Sequence, residues 1–154
     1  MAPRHAGVDL RSDLHLRDAQ RLHAGARGLA AGHHQLVHAV LVYSTAEAGA
    51  VKSVQGRLGV EEAGAMVERT IAAIARGLVE RGVHQLVVAG GETSGACVQA
   101  LGIAQMQIGP QIDPGVPWCH ARTDVAEGTP VHIALKSGNF GGDDFFTKAF
   151  TVLA

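Results

Sequence analysis

Gly90-Gly91-Glu92-Thr93-Ser94-Gly95 combines the residue types that an anion site needs. An apolar β-rich run, Leu86-Val87-Val88-Ala89, leads into it. Ala96, Val98, Ala100 and Leu101 then continue in a helix-compatible pattern that Gly102 can close. A buried strand, a glycine turn and a helix N-terminus in that order offer a ligand unpaired first-turn N–H groups and the positive end of the helix dipole. Glycines leave no Cβ in the way of a phosphate, and Thr93 and Ser94 bring hydroxyls to the N-cap position, for capping or for the ligand. The stretch is not a P-loop, because no Gly-Lys-Ser/Thr follows at the required distance, and it is not GxGxxG. It reads as a nucleotide-phosphate loop; the same spacing also fits a tight strand–helix turn with a Ser/Thr cap and no ligand.

The elements that must position this stretch can be read on both sides of it. Val40-Leu41-Val42-Tyr43 reads as a buried strand ended by Ser44-Thr45. Glu47 to Leu58 reads as a helix with Val51, Val54 and Leu58 on one side, stopped by Gly59. Glu61 to Glu80 is the strongest helical pattern: Met66, Val67, Ile71, Ile74 and Leu78 recur at three- and four-residue steps, and Arg81-Gly82 ends it. Strand, helices, strand, helix predicts an α/β fold with a right-handed βαβ crossover and a mostly parallel sheet flanked by helices. Met106-Gln107-Ile108 reads as a short strand, Ile108 to Trp118 as an ordered Pro/Gly loop rather than an element, and 119–130 as a surface connection. Val131 to Leu135 returns to strand. Lys136 to Gly142 is a second glycine-rich turn, and Asp143 can cap a last helix through Phe145, Phe146 and Phe150. Two strand–glycine loop–helix units would then open at the carboxyl edge of the sheet, where ligands bind.

Composition narrows the classes. The 154 residues are one domain's worth, 47% hydrophobic and 18% charged, with a net charge of −1. Neither a basic excess for nucleic acid nor an acidic tail for a charged partner is present. No apolar run is long enough to span a bilayer, and the N-terminus lacks the apolar core of a signal peptide; no membrane partner is expected, and the cytoplasm is the default. Cys97 and Cys119 form no metal-type spacing, and Cys97 is expected as a buried free thiol. Residues 1–39 differ from the rest, with six of the nine histidines, five arginines and no lysine. They read as an atypical, loosely packed or partly helical arm before a nucleotide-binding domain at 40–154. His34 and His38 sit four apart and can share one helical face, but HExxH and a third ligand are absent, so a metal site is not expected there.

The second half resembles the C-terminal nucleotide-binding domain of the four-carbon acid sugar kinases, which include 3-oxo-tetronate, threonate and erythronate kinases. GGETSG at 90–95, IGPQIDPGVPW at 108–118 and LKSGNFGGDDFF at 135–146 carry the match, with VYST at 42–45 as a shorter fourth motif. The resemblance implies phosphorylation of the terminal hydroxyl of a four-carbon sugar acid by ATP with Mg2+, in a protein that pairs an acid-sugar domain with this ATP domain. Carried over residue by residue, it puts Ser44, Gly90, Gly91, Glu92, Thr93, Ser94, Gly95 and Gly138 at the ATP. Lys136 is a further phosphate candidate or a solvated strand-end lysine. Asp113, Glu92, Asp143 and Asp144 are candidates to hold Mg2+ directly or through water, although Asp113 before Pro114 is also a turn former and Asp143 a helix cap. Trp118 is an adenine-stacking ring or a packing anchor.

No residue is singled out as the catalytic base. Only 39 residues precede Val40, with no Asp-rich acid-sugar motif among them. The implied partners are therefore ATP and a sugar acid held by a missing or separately encoded domain, with homo-oligomerisation open. The alternative is a non-catalytic nucleotide-binding module or a truncated remnant. A dinucleotide oxidoreductase is disfavoured, because GxGxxG and an acidic residue about twenty positions on are both lacking.

Overall fold

The computed structural model describes residues 40–44, 48–125, 128 and 130–153, and the backbone of 7–9. The rest of the His/Arg/Gly-rich arm, His34 and His38 included, lies outside the described residues, as do Thr45 and Glu47. Two compact units divide the chain, 1–67 and 68–154.

In the first unit β1 (Gly7–Asp9) and β2 (Leu41–Tyr43) pair in parallel, with Val8 opposite Val42. Helix α1 (Ala48–Leu58) follows and ends at Gly59, whose amide bonds back to the Gln55 carbonyl at 2.8 Å. None of its residues is buried: of the expected apolar side, Val51 and Leu58 are exposed and Val54 is half-buried. Helix α2 (Val60–Val79) begins with Glu61 and Glu62 in its first turn and carries Arg76 in its last, charges that complement the helix dipole. The boundary between the two units falls inside this helix.

The second unit is built on a four-stranded sheet in the order β3 (Gln85–Ala89), β6 (Pro130–Lys136), β5 (Val116–Arg122), β4 (Met106–Asp113). Only β3 and β6 are parallel; β6–β5 and β5–β4 are antiparallel. The sheet is thus mixed, not mostly parallel. Strand β2 belongs to the other, two-stranded sheet, so the expected crossover from it into β3 is not formed in one sheet. The larger correction lies at 108–122, expected as a loop and a surface connection. These residues form a β-hairpin that turns at Pro114-Gly115.

Alternation along β6 divides the core. Val131 and Ile133 pack with Leu86, Val88, Cys97 and Leu101, joined by Ala72, Ala75 and Val79 of α2. Ala134 points to the other face and packs with Val116, Trp118, Phe145 and Ala149. Helix α3 (Gly91–Ala100) therefore serves the first cluster, and the short helix α4 (Phe145–Ala149) serves the second. Fully burying each large aliphatic side chain here contributes about 1.5–3 kcal/mol. No helix among the described residues is long and apolar enough to cross a membrane.

Candidate functional site

Gly90 is the only turn residue between β3 and α3. Its φ of 111° lies outside the range that L side chains adopt comfortably, and it serves as the N-cap with no side-chain cap. Helix α3 begins at Gly91, so GGETSG is mostly the first turn and a half of a helix rather than a loop. Thr93 and Ser94 are inside that helix and do not cap it, which corrects the N-cap expectation. The Ser94 amide donates to the Gly90 carbonyl at 2.8 Å. The amides of Gly91, Glu92 and Thr93 precede that bond and have no intrahelical acceptor. The Ser94 side chain is 8% exposed, and its Oγ has no hydrogen-bond partner. Glu92 is exposed in the first turn, where its charge favours the helix dipole.

The second glycine turn lies directly beside the first. In the parallel pairing, Ala89 stands opposite Lys136. One residue further on, the Gly90 N–H donates to the Lys136 carbonyl at 2.8 Å. A Cβ built on Gly91 would meet only the Ser137 Oγ, at 3.5 Å. The chain then runs Ser137-Gly138-Asn139-Phe140-Gly141-Gly142 before α4. The Lys136 Nζ donates to the Gly138 carbonyl at 2.9 Å, closing the turn on itself. Lys136 is thus engaged with its own loop in this arrangement. Helix α4 is capped at Asp144, through backbone bonds from Thr147 and Lys148, and not at Asp143 as expected.

The hairpin tip reaches the same edge. Asp113 ends β4 with its side chain buried; its Oδ2 accepts the Gly142 N–H at 3.1 Å, and its Oδ1 pairs with the Lys148 Nζ. The ammonium of Lys148, and then the Gly142 N–H, hold the Asp113 carboxyl below its ordinary value; the same contact raises Lys148. Both carboxylate oxygens are taken, which leaves Asp113 poorly placed as a metal ligand. Glu92, Asp143 and Asp144 do not assemble one either: among the described residues no group of three or more His, Cys, Asp or Glu is placed to hold a metal ion.

Trp118 is fully buried; its Nε1–H donates to the Ala149 carbonyl at 2.8 Å, and its ring meets Phe150 edge-on. It is a packing anchor and not an adenine platform. Cys97 is buried and free as expected, and burial pushes its thiol up to about 11, so it stays protonated and inert.

The structure therefore brings together six of the eight expected residues of the ATP site as one helix start, Gly90 to Gly95, with Gly138 in the adjoining turn. Ser44 follows β2 in the first unit and is exposed. Reading the sequence missed Ser137, which faces Gly91, and Lys148, which pairs with Asp113. No local pattern marks either one; the parallel β3–β6 register and the hairpin bring them in.

By fold the second unit is an α/β domain with its glycine turns gathered at one edge of a mixed sheet. Residues 5–146 match the family described as the nucleotide-binding C-terminal domain, and the chain belongs to that family, the C-terminal domain of the four-carbon acid sugar kinases. It is 55% identical over 137 residues to a 3-oxo-tetronate kinase of Burkholderia multivorans, covering 84% of this chain and 31% of that protein. To the 3-oxo-tetronate kinase of Pseudomonas savastanoi pv. phaseolicola it is 57% identical over 116 residues, covering 75% and 26%. A crystal structure of a Haemophilus influenzae protein superposes with a TM-score of 0.75 at 35% identity, over 96% of this chain and 34% of that one. The chain thus spans about a third or less of the relatives it matches.

Proposed function

We propose that residues 40–154 form the ATP-binding domain of a four-carbon acid sugar kinase, with the phosphates seated between the start of α3 and the Ser137–Gly142 turn. The reaction would move the terminal phosphoryl group of ATP to the terminal hydroxyl of a 3-oxo-tetronate- or threonate-like acid. Gly90 to Gly95 and Gly138 are the proposed ATP contacts here, and Ser44 is proposed with them by resemblance. The acid would be held by protein outside these residues.

One observation carries this reading. Gly91 is not at a positive φ, and a Cβ there would make only an ordinary contact with Ser137. Folding does not require glycine at this position, whereas a phosphate lying on the helix N-terminus would. The buried, unpartnered Ser94 hydroxyl in the same turn supports a polar ligand close by. In phosphoryl transfer the protein mostly positions its substrates and neutralises charge. First-turn amides and the helix dipole would hold the oxygens of the nucleotide and stabilise charge on them, while the second turn excludes water from one side. Among the described residues no group of three or more His, Cys, Asp or Glu is placed to cage Mg2+, and in this reading the ion would be held with the nucleotide.

Large apolar side chains left exposed in the first unit, including Val40, Leu41, Val51, Leu58 and Val60, support a further protein surface covering them. Calorimetric titration with a non-hydrolysable ATP analogue, with and without Mg2+ and with NAD as control, tests the reading. Analogue binding without NAD binding is expected, and Gly91→Val should weaken it at least tenfold while leaving the fold intact. Equal affinity in a folded Gly91→Val chain would remove the assignment. Binding without transfer to any four-carbon acid, even when a substrate domain of a relative is supplied, would favour the non-catalytic module.

A further inference from the structure

The two turns at this edge are held by different contacts. Gly90 is fixed by the parallel strand beside it and by the helix it starts. The loop from Ser137 to Gly142 is longer and leads into a helix of one and a half turns, so its own backbone fixes little; within it, Phe140 N–H reaches the Ser137 carbonyl only at 3.4 Å. What does hold it comes from the β4–β5 hairpin tip. Asp113 accepts the Gly142 N–H at 3.1 Å and pairs with Lys148 of α4, so a single buried carboxylate ties the end of the loop to the helix that follows. At the next turn residue but one, Gly115 approaches the Phe140 ring so closely that a Cβ would stand 3.1 Å from two of its carbons. The near end is closed separately by Lys136 on the Gly138 carbonyl. Asp113 contacts none of Gly90, Gly91 or Gly138 in these bonds; it acts on the loop from behind.

We propose that Asp113, on the hairpin tip, is a positioning residue that sets the Ser137–Gly142 loop against the start of α3, and that nucleotide affinity depends on this tie. The inference rests on the nucleotide reading above. Charge-assisted bonds to a buried carboxylate are ones whose loss matters: the Gly142 amide is left without its acceptor, while the Lys148 ammonium, 40% exposed, turns to water. The role also explains the use of an aspartate before Pro114 beyond turn formation: a plain turn former would have no need of a buried carboxylate engaged on both oxygens.

The test uses the whole chain in four forms: unaltered, Asp113→Ala, Asp113→Asn and Lys148→Met. Amide hydrogen exchange is read over 138–144 and, as a fold control, over 131–135; affinity for a non-hydrolysable ATP analogue is read alongside. In Asp113→Ala the loop should exchange about tenfold faster and bind the analogue about tenfold more weakly, with 131–135 unchanged. Asp113→Asn keeps an acceptor for Gly142 and should recover most of both, and Lys148→Met should fall between. If Asp113→Ala loses protection at 131–135 as well, it has unfolded, and the Asn and Met variants carry the comparison. Unchanged exchange over 138–144 in a folded Asp113→Ala chain, or in Lys148→Met where Asp113→Ala has unfolded, overturns the tie. Faster exchange with undiminished affinity overturns the positioning role. Failure of the unaltered chain to bind the analogue overturns the nucleotide reading instead, and with it the dependence of affinity on the tie, whatever the exchange result.

Discussion

The two strand–glycine–helix units of the second unit share a sequence pattern and differ in what holds them. In the first, a single residue, Gly90, separates a five-residue strand from a ten-residue helix. In the second, Ser137 to Asp144 separate β6 from a five-residue helix, and the loop is fastened from outside by Asp113, Lys148 and the approach of Gly115 to Phe140. A turn built by neighbouring backbone tolerates distant change; a turn built by tertiary contacts does not. The same motif in sequence therefore carries two different sensitivities.

The largest effect should come from removing the anchor of the second unit's short helix. Trp118→Ala deletes a fully buried ring and the bond to the Ala149 carbonyl, and should cost about 3–5 kcal/mol in chemical denaturation. A cost under about 1 kcal/mol would mean that α4 is held by other means.

A smaller contrast should appear between two glycines. Gly90 has φ 111° and a Cβ there would lie 3.2 Å from the Thr93 Oγ1, whereas Gly138 has φ 52° and open space. Asparagine is tolerated at the second angle and not at the first. Gly138→Asn should therefore cost less than about 1 kcal/mol and Gly90→Asn about 1–3 kcal/mol more. Equal costs would undo the distinction between the two turns.

The smallest and most specific effect is on pH. Asp113 titrates below its ordinary value of 3.8 when folded, so its contribution is fully present above 3.8 and is lost as pH falls through the lower folded value. Lys148 is raised above its ordinary 10.5, so its contribution is present below 10.5 and is lost as pH rises through the higher folded value. Melting temperatures of the unaltered chain and of Asp113→Asn should differ between these limits and converge in stronger acid. A gap that persists at low pH would show that the charge is not what matters.

Much of the first turn could be read from residues alone. Three- and four-residue apolar steps located α2, and the run Leu86 to Ala89 before paired glycines located β3 and the start of α3. Local patterns failed where partners are distant. Pro110, Pro114 and Pro117 suggested a loop, yet Pro110 lies on the edge strand β4, within a register shift between Ile108 and Gln111. Pro114 is in the turn, and Pro117 precedes the first β5–β6 partner, Trp118. Pro117 stands opposite Gln111, and register shifts flank that pair on both sides, so Pro110 and Pro117 both fall in the irregular stretch of the β4–β5 ladder, where proline is tolerated. The parallel expectation failed for a related reason. Strand direction depends on which strands pair, and the hairpin inserts two antiparallel partners that no periodicity announces. Ser137 and Lys148 carry no local mark, because the parallel β3–β6 register brings the first beside Gly91 and the hairpin tip brings Asp113 to the second.

The central claim is that the two turns form one nucleotide-phosphate site. Its most direct test is the two-dimensional amide spectrum of the isotopically labelled chain, titrated with a non-hydrolysable ATP analogue. The amides of Gly91 to Ser94 and of Ser137 to Gly142 should shift together along a single binding curve. Shifts confined to one turn, or absent from both while others move, would contradict the account.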